Sequence, residues 1–204
     1  MTQSRYPVPA RVHCVRDTIQ RSGFITTAAH APTAEAAHAF VQRIRAEFPD
    51  ATHHCWAFVA GPPGSTTHIG MSDDGEPHGT AGRPMLTALL HGGVGEIVAV
   101  CTRYFGGVKL GTGGLSRAYS GGVKHVLEEL PTEEKVERTR MEVRVGYAHV
   151  DGVRRLMDEM EVAVEEEEFD SEVRWLVGVP APLEQDFADA VAGLTRGEGS
   201  VWRM

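Results

Sequence analysis

Apolar and polar positions alternate with a period of two over roughly Val12–Gln20 and Phe24–Ala29, which predicts two strands around a turn at Ser22-Gly23. After Thr33 the period lengthens. In "AEAAHAFVQRIRAEF" the residues Ala37, Phe40, Val41, Ile44 and Phe48 recur at helical spacing, with Thr33 as the capping residue. "HHCWAFVA" returns to a period of two and predicts a strand ending at Gly61-Pro62-Pro63. It sends His53, Cys55, Ala57 and Val59 to one face and His54, Trp56 and Phe58 to the other. The stretch "SDDGEPHGTAGRPM" then reads as a loop, because Gly, Pro and Asp disfavour helix and strand alike. Pro84 suits a first helical position for "PMLTALLH". "EIVAVCTRYF" is a buried strand, and beyond a glycine-rich turn a helix starts near Thr112 and runs to Leu130.

The polar segment "PTEEKVERT" lacks periodicity and marks a boundary between a first domain, 1–131, a linker, 132–139, and a second domain, 140–204. Past it the pattern predicts a strand (Arg140–Tyr147), a helix (Val150–Met160), two strands (Val162–Phe169 and Val173–Val179), a helix (Leu183–Leu194) and a short strand (Ser200–Arg203). That β-α-β-β-α-β order is the ferredoxin-like split βαβ arrangement, so the expected class is α+β. The run Glu165–Glu168 is placed on a solvated hairpin. Sixteen of the 23 glycines fall between Gly61 and Gly122. Gly114, Ala118, Gly121 and Gly122 share one face of the helix after Thr112, which fits close packing on a sheet or close approach of a ligand.

Of the 204 residues, 42% are hydrophobic and 24% charged, an ordinary balance for a soluble globular protein. No apolar run approaches the ~18 residues that span a bilayer. The N-terminus lacks the apolar core of a secretory signal. Cys14, Cys55 and Cys101 read as reduced, buried thiols, and the expected location is the cytoplasm. The net charge of −8 is unevenly spread. Up to Pro131 there are 11 Lys and Arg against 10 Asp and Glu; beyond it, 9 against 18. Only the first part is suited to a polyanion.

The candidate chemistry lies in two stretches. In "CTRYFGGVKLGTGGLSRAYS" a buried strand runs through glycines into a helix start, with Arg103, Lys109 and Arg117 distributed across it. The backbone at Gly106, Gly107, Gly111, Gly113 and Gly114 with these side chains suits an anion, since helix N-termini attract negative charge. Thr112 stands where a Walker A loop needs lysine, and a G-x-G-x-x-G pattern begun at Gly111 ends on Ser116, so nucleotide hydrolysis is not indicated. The second stretch carries Asp73, Asp74 and Glu76. Their spacing does not match an EF-hand. It leaves open a two-carboxylate Mg²⁺ site, acid/base work, or a loop tied down by Arg83, Arg103 or backbone amides. Charge alone favours this loop folding over the "RYFGG" turn, with Arg103 on one of the carboxylates. Trp56 and Phe58 are candidates for stacking bases, or for the core. A zinc site at His53 and Cys55 lacks a second ligand pair.

Together, "DATHHCWAF", "SDDGEPHGTAGRPM" and "VCTRYFGGVKLGTGGLSRAYS" resemble the IMPACT/YigZ family over essentially the whole chain. The resemblance implies an N-terminal IMPACT domain with a fold similar to the second domain of a small-subunit ribosomal protein. It also implies a ferredoxin-like C-terminal domain similar to the last domain of the translocation elongation factor. Both relationships imply an RNA- or ribosome-linked role; the residues and the resemblance together favour a non-catalytic protein that binds RNA, the ribosome or a translation factor and modulates translation, with no cofactor assigned. Two other readings stay open: an enzyme on a small phosphorylated or metal-chelated substrate using the acidic loop with Arg103, and an adaptor whose acidic second domain recognises basic partners.

Overall fold

The computed structural model describes residues 4–204. The chain divides into two compact units, one ending at Lys135 and the other starting at Val136.

The first unit is built on an antiparallel sheet of five strands: β2 (His13–Ile19), β3 (Ser22–His30), β4 (His53–Val59), β5 (Ile69–Ser72) and β6 (Ile97–Tyr104). Their spatial order is β2-β3-β6-β4-β5. Helix α1 (Ala34–Glu47) covers one face, and α2 (Gly82–Leu90) and α3 (Gly111–Glu129) cover the other. Thr33 caps α1 by accepting the Ala36 amide at 3.2 Å, as its sequence position predicts. Central β6 is buried from Ile97 to Arg103, which is why Ile97–Cys101 are all apolar. Along β4, Cys55, Ala57 and Val59 pack under α2 and α3, while Phe58 and Trp56 pack under α1.

Several expectations need correction. The hairpin between β2 and β3 turns at Gln20 and Arg21, with φ of +46° and +70°, and not at Ser22-Gly23. A two-residue turn with both φ positive matches strand twist, and here it is made without glycine. Strand β5 has no counterpart in the sequence reading and ends on Ser72, the first residue of the predicted loop, and Pro84 is the third helical residue of α2, not the first. The expected linker 132–139 is instead strand β7 (Thr132–Val136), paired with β1 (Arg5–Pro9), followed at once by β8 (Arg138–Val145). Its outer residues stay exposed, so no apolar alternation betrays it. Its anchor is Lys135, which reaches the buried Glu96. Glu96 also accepts from Tyr6 Oη at 3.2 Å and pairs with His30 Nε2 at 2.7 Å. Burial opposes ionisation of Glu96, but the bonds from Lys135, His30 and Tyr6 outweigh it and hold the carboxyl below its usual range.

Cys55 and Cys101 are buried cross-strand neighbours, whereas Cys14 is exposed, against expectation. Burial pushes the Cys101 thiol up to about 12 and raises Cys55 as well, so neither supplies a thiolate near neutral pH. Phe58 is 3% exposed and stacks on Trp56 at 5.9 Å, with His38 edge-on to both rings. Phe58 is core and the partly buried Trp56 packs against it, because α1 covers their face of the sheet. Of the four small residues on α3, Gly122 meets the sheet, where an added Cβ would stand 2.4 Å from Thr26 Oγ1. Ala118 is buried beside it, Gly114 is half-buried and Gly121 faces open space.

The second unit runs β8, α4 (Val150–Glu159), β9 (Ala163–Phe169), β10 (Val173–Pro180), α5 (Glu184–Leu194) and β11 (Ser200–Arg203). The antiparallel order β11-β8-β10-β9 is the ferredoxin-like arrangement expected from the sequence. Met141, Val143, Val145, Trp175 and Val177 face the helices. Alternate residues form a lattice of ion pairs: Arg140 to Glu165 (2.7 Å), Arg174 to Glu168 (2.8 Å), and Glu142 between Arg144 and Arg174. Glu167 takes Arg154 and the Trp175 indole. The acidic run therefore lies on a solvent-exposed edge strand with its charges answered locally, which leaves the adaptor reading without free carboxylates there. Among the described residues, no helix is long and apolar enough to cross a membrane.

Candidate nucleic-acid interface

The acidic loop follows β5 directly, and its three carboxylates part ways. Asp73 turns back on the start of α2: Oδ1 accepts the amides of Ala81 (3.0 Å) and Gly82 (2.8 Å), and Oδ2 that of Gly79 (2.7 Å). Burial opposes its ionisation, yet these amides win and hold its carboxyl below the usual value. Asp73 thus caps a helix whose own N-cap, Ala81, has no side chain able to do so. Asp74 sits at φ +42°, accepts the His54 amide at 2.7 Å and pairs with Arg45 of α1. Glu76 turns inward, where Oε1 accepts Arg103 Nη1 at 2.5 Å and Tyr119 Oη at 2.7 Å. Burial, together with neighbouring groups, pushes the Tyr119 hydroxyl well above its usual range, so it stays a donor.

The loop is therefore docked on the turn after β6, with Arg103 holding Glu76. It is not a metal cage. The carboxylates do not converge, and no group of three or more His, Cys, Asp or Glu among the described residues is placed to hold a metal ion. Each acid instead has a separate partner: Asp73 the amides at the start of α2, Asp74 Arg45 of α1, and Glu76 Arg103 of β6. Arg103 also departs from expectation: its side chain is 6% exposed, so it is not a surface phosphate contact. Breaking a buried pair of this kind leaves an uncompensated charge, which makes it structural first.

The turn between β6 and α3 uses its glycines unequally. At Gly106 an added Cβ would stand 2.0 Å from the Arg21 carbonyl oxygen, so backbone meets backbone. Gly107 and Gly111 hold φ of +84° and +71° in open space. Gly113 and Gly114 lie in the first turn of α3, a 19-residue helix with no side-chain cap at its N-terminus.

Lys109 and Arg117 are exposed beside this helix start. Two cations with no such role in the sequence reading join them, Arg83 on α2 and Lys124 on α3. Arg83 does not tie down the acidic loop; with Arg117, Lys124 and Glu128 it lines a groove of about 690 Å³ between the two helices. None of the four forms a side-chain ion pair among the described residues. The helical period could have placed Arg117 and Lys124 on one face of α3, seven residues apart; nothing local places Arg83 across from them. Phe105 was also missed, a ring 49% exposed in the turn itself.

Residues 20–127 match the model of the Impact N-terminal domain, and residues 143–198 match a domain of unknown function, DUF1949. IMPACT family member YigZ of Escherichia coli (strain K12) is 44% identical over 190 residues, 93% of each chain. The chain belongs to the IMPACT family. An IMPACT family member of Haemophilus influenzae is 40% identical over 95% of this chain and 94% of its own. IMPACT family member YvyE of Bacillus subtilis is 33% identical over 90% and 83%. A solved structure titled as that of a hypothetical protein aligns over 99% of this chain and 98% of its own, with a TM-score of 0.74 at 41% identity. The IMPACT domain model starts at Gln20 and ends at Leu127, so it takes in both the docked loop and the α2–α3 face.

Proposed function

We propose that this IMPACT family protein binds single-stranded RNA without cleaving it, through the face of α2 and α3, and acts on translation through that contact. One observation carries the reading: Arg83, Arg117 and Lys124 are exposed along the α2–α3 groove and Lys109 in the turn before α3, all without carboxylate partners. In an acidic chain of net charge −8, affinity for a polyanion depends on such a local concentration of unpaired cations. The sheet of the second unit offers no comparable surface, since Arg140, Arg144 and Arg174 are held by glutamates and Arg138 by backbone carbonyls. The family resemblance supports a translation-linked partner.

The test is fluorescence anisotropy on an unstructured RNA of about 12 nucleotides, with salt raised from about 50 to 200 mM. Four phosphate contacts at roughly 0.7 each give a slope of log K against log salt near −3. Replacing all four cations by glutamine brings that slope towards zero. A folded quadruple variant with an unchanged slope, or no RNA binding at low salt, overturns the reading.

A further inference from the structure

A smaller cavity, of about 310 Å³, lies at the N-terminus of α3, walled by Glu76, Arg103, Phe105, Lys109 and Thr112. Its size is at the low end of ligand sites, which run from ~300 to 1,000 Å³. Three kinds of chemistry meet there. The rim is positive: α3 opens at Gly111 with uncapped amides and the positive end of its dipole, and Lys109 is exposed next to them. One wall is aromatic, the half-exposed ring of Phe105, which lies over the Arg103 guanidinium at 5.6 Å. The deep wall is polar and incompletely satisfied. Arg103 is 94% buried by side chain, yet its Nε has no hydrogen-bond partner. Glu76, 4% exposed, engages Arg103 and Tyr119 through Oε1, and no described residue hydrogen-bonds its Oε2. A buried donor left unpaired is costly, which makes it a mark of a missing acceptor.

A ligand matching all three walls has an anionic group, a flat ring, a donor for the buried carboxylate and an oxygen able to accept from the guanidinium. We propose that this cavity binds one nucleoside monophosphate unit, free or as a single unstacked nucleotide of an RNA strand. The phosphate lies at the Gly111–Gly113 amides and Lys109, the base against Phe105, and the sugar or base-edge donors towards Glu76. The strand-borne case rests on the RNA reading; the free nucleotide does not.

Titration calorimetry and amide NMR shifts with AMP, UMP and inorganic phosphate test it. Both nucleotides bind, phosphate alone binds at least about 10-fold more weakly, and the shifted amides include Gly111, Thr112 and Gly113. Phe105→Ala weakens nucleotide binding about 10-fold and Phe105→Tyr restores it, as base stacking predicts. Phe105 is exposed, so neither change threatens the fold. Phosphate binding as well as AMP, or Phe105→Ala binding unchanged, overturns the proposal. AMP displacing RNA identifies the ligand as a nucleotide of the strand; RNA and AMP bound together identify it as a free nucleotide. RNA binding without any nucleotide binding overturns the cavity proposal alone, and nucleotide binding without RNA binding overturns the RNA reading alone.

Discussion

Asp73 shows how much one side chain can hold. It sits at the end of β5 and satisfies three amides at the start of α2. Asp73→Asn keeps its size but turns an amino group towards those donors, at a cost of about 2–3 kcal/mol, read from the shift in the denaturation midpoint. The pH dependence has a definite sign. The folded carboxyl lies below its unfolded value of ~3.9, so its contribution is complete above that value and disappears as pH falls through the folded one. The gap between wild type and variant should therefore stay constant from about pH 5 to 7 and narrow below about pH 4. A constant gap down to pH 2 would mean that Asp73 acts through shape and not through charge.

Among elements, the turn between β6 and α3 has the tightest tolerance. Gly106 lies against the Gln20-Arg21 turn, donating its amide to Ser22 Oγ at 3.2 Å, and no space exists there for a methyl group. Gly107 has space but a positive φ. Gly106→Ala should cost about 3 kcal/mol through forced backbone displacement, and Gly107→Ala about 1 kcal/mol through conformational strain. Urea unfolding of both variants checks the order; equal costs would show that close approach at Gly106 is relieved elsewhere. The same displacement would carry Phe105 and Lys109 with it, so Gly106→Ala should also weaken nucleotide and RNA binding.

On the scale of the whole molecule, each unit has its own core and its own electrostatic character. Cutting after Glu137 leaves β1 paired with β7 in one fragment and the complete β8–β11 sheet in the other. Both fragments should unfold cooperatively. The first should keep the RNA affinity and salt slope of the full chain, and the second should show neither. Loss of the slope from a folded first fragment would place phosphate contacts in the second unit, against the pairing of its arginines.

The sequence by itself determined most elements and the ferredoxin-like order, because side-chain period is a local property. The alternation in "HHCWAFVA" and the helical spacing in "AEAAHAFVQRIRAEF" each required only near neighbours. Three acids within four positions, and a basic glycine-rich turn further along the chain, are enough to suggest docking. Which acid meets which base is not a local property. Arg45 finds Asp74 across 29 residues, Arg103 finds Glu76 across 27, and Lys135 finds Glu96 across 39. Polar strands such as β7 gain their place from those distant partners, and so leave no period to read. Trp56 and Phe58 were assigned to the correct face of β4, but only the packing of α1 decided that this face is core. Only the tertiary structure decided which cations stay unpaired, because a charge is free or answered according to what the fold brings within a few ångströms of it.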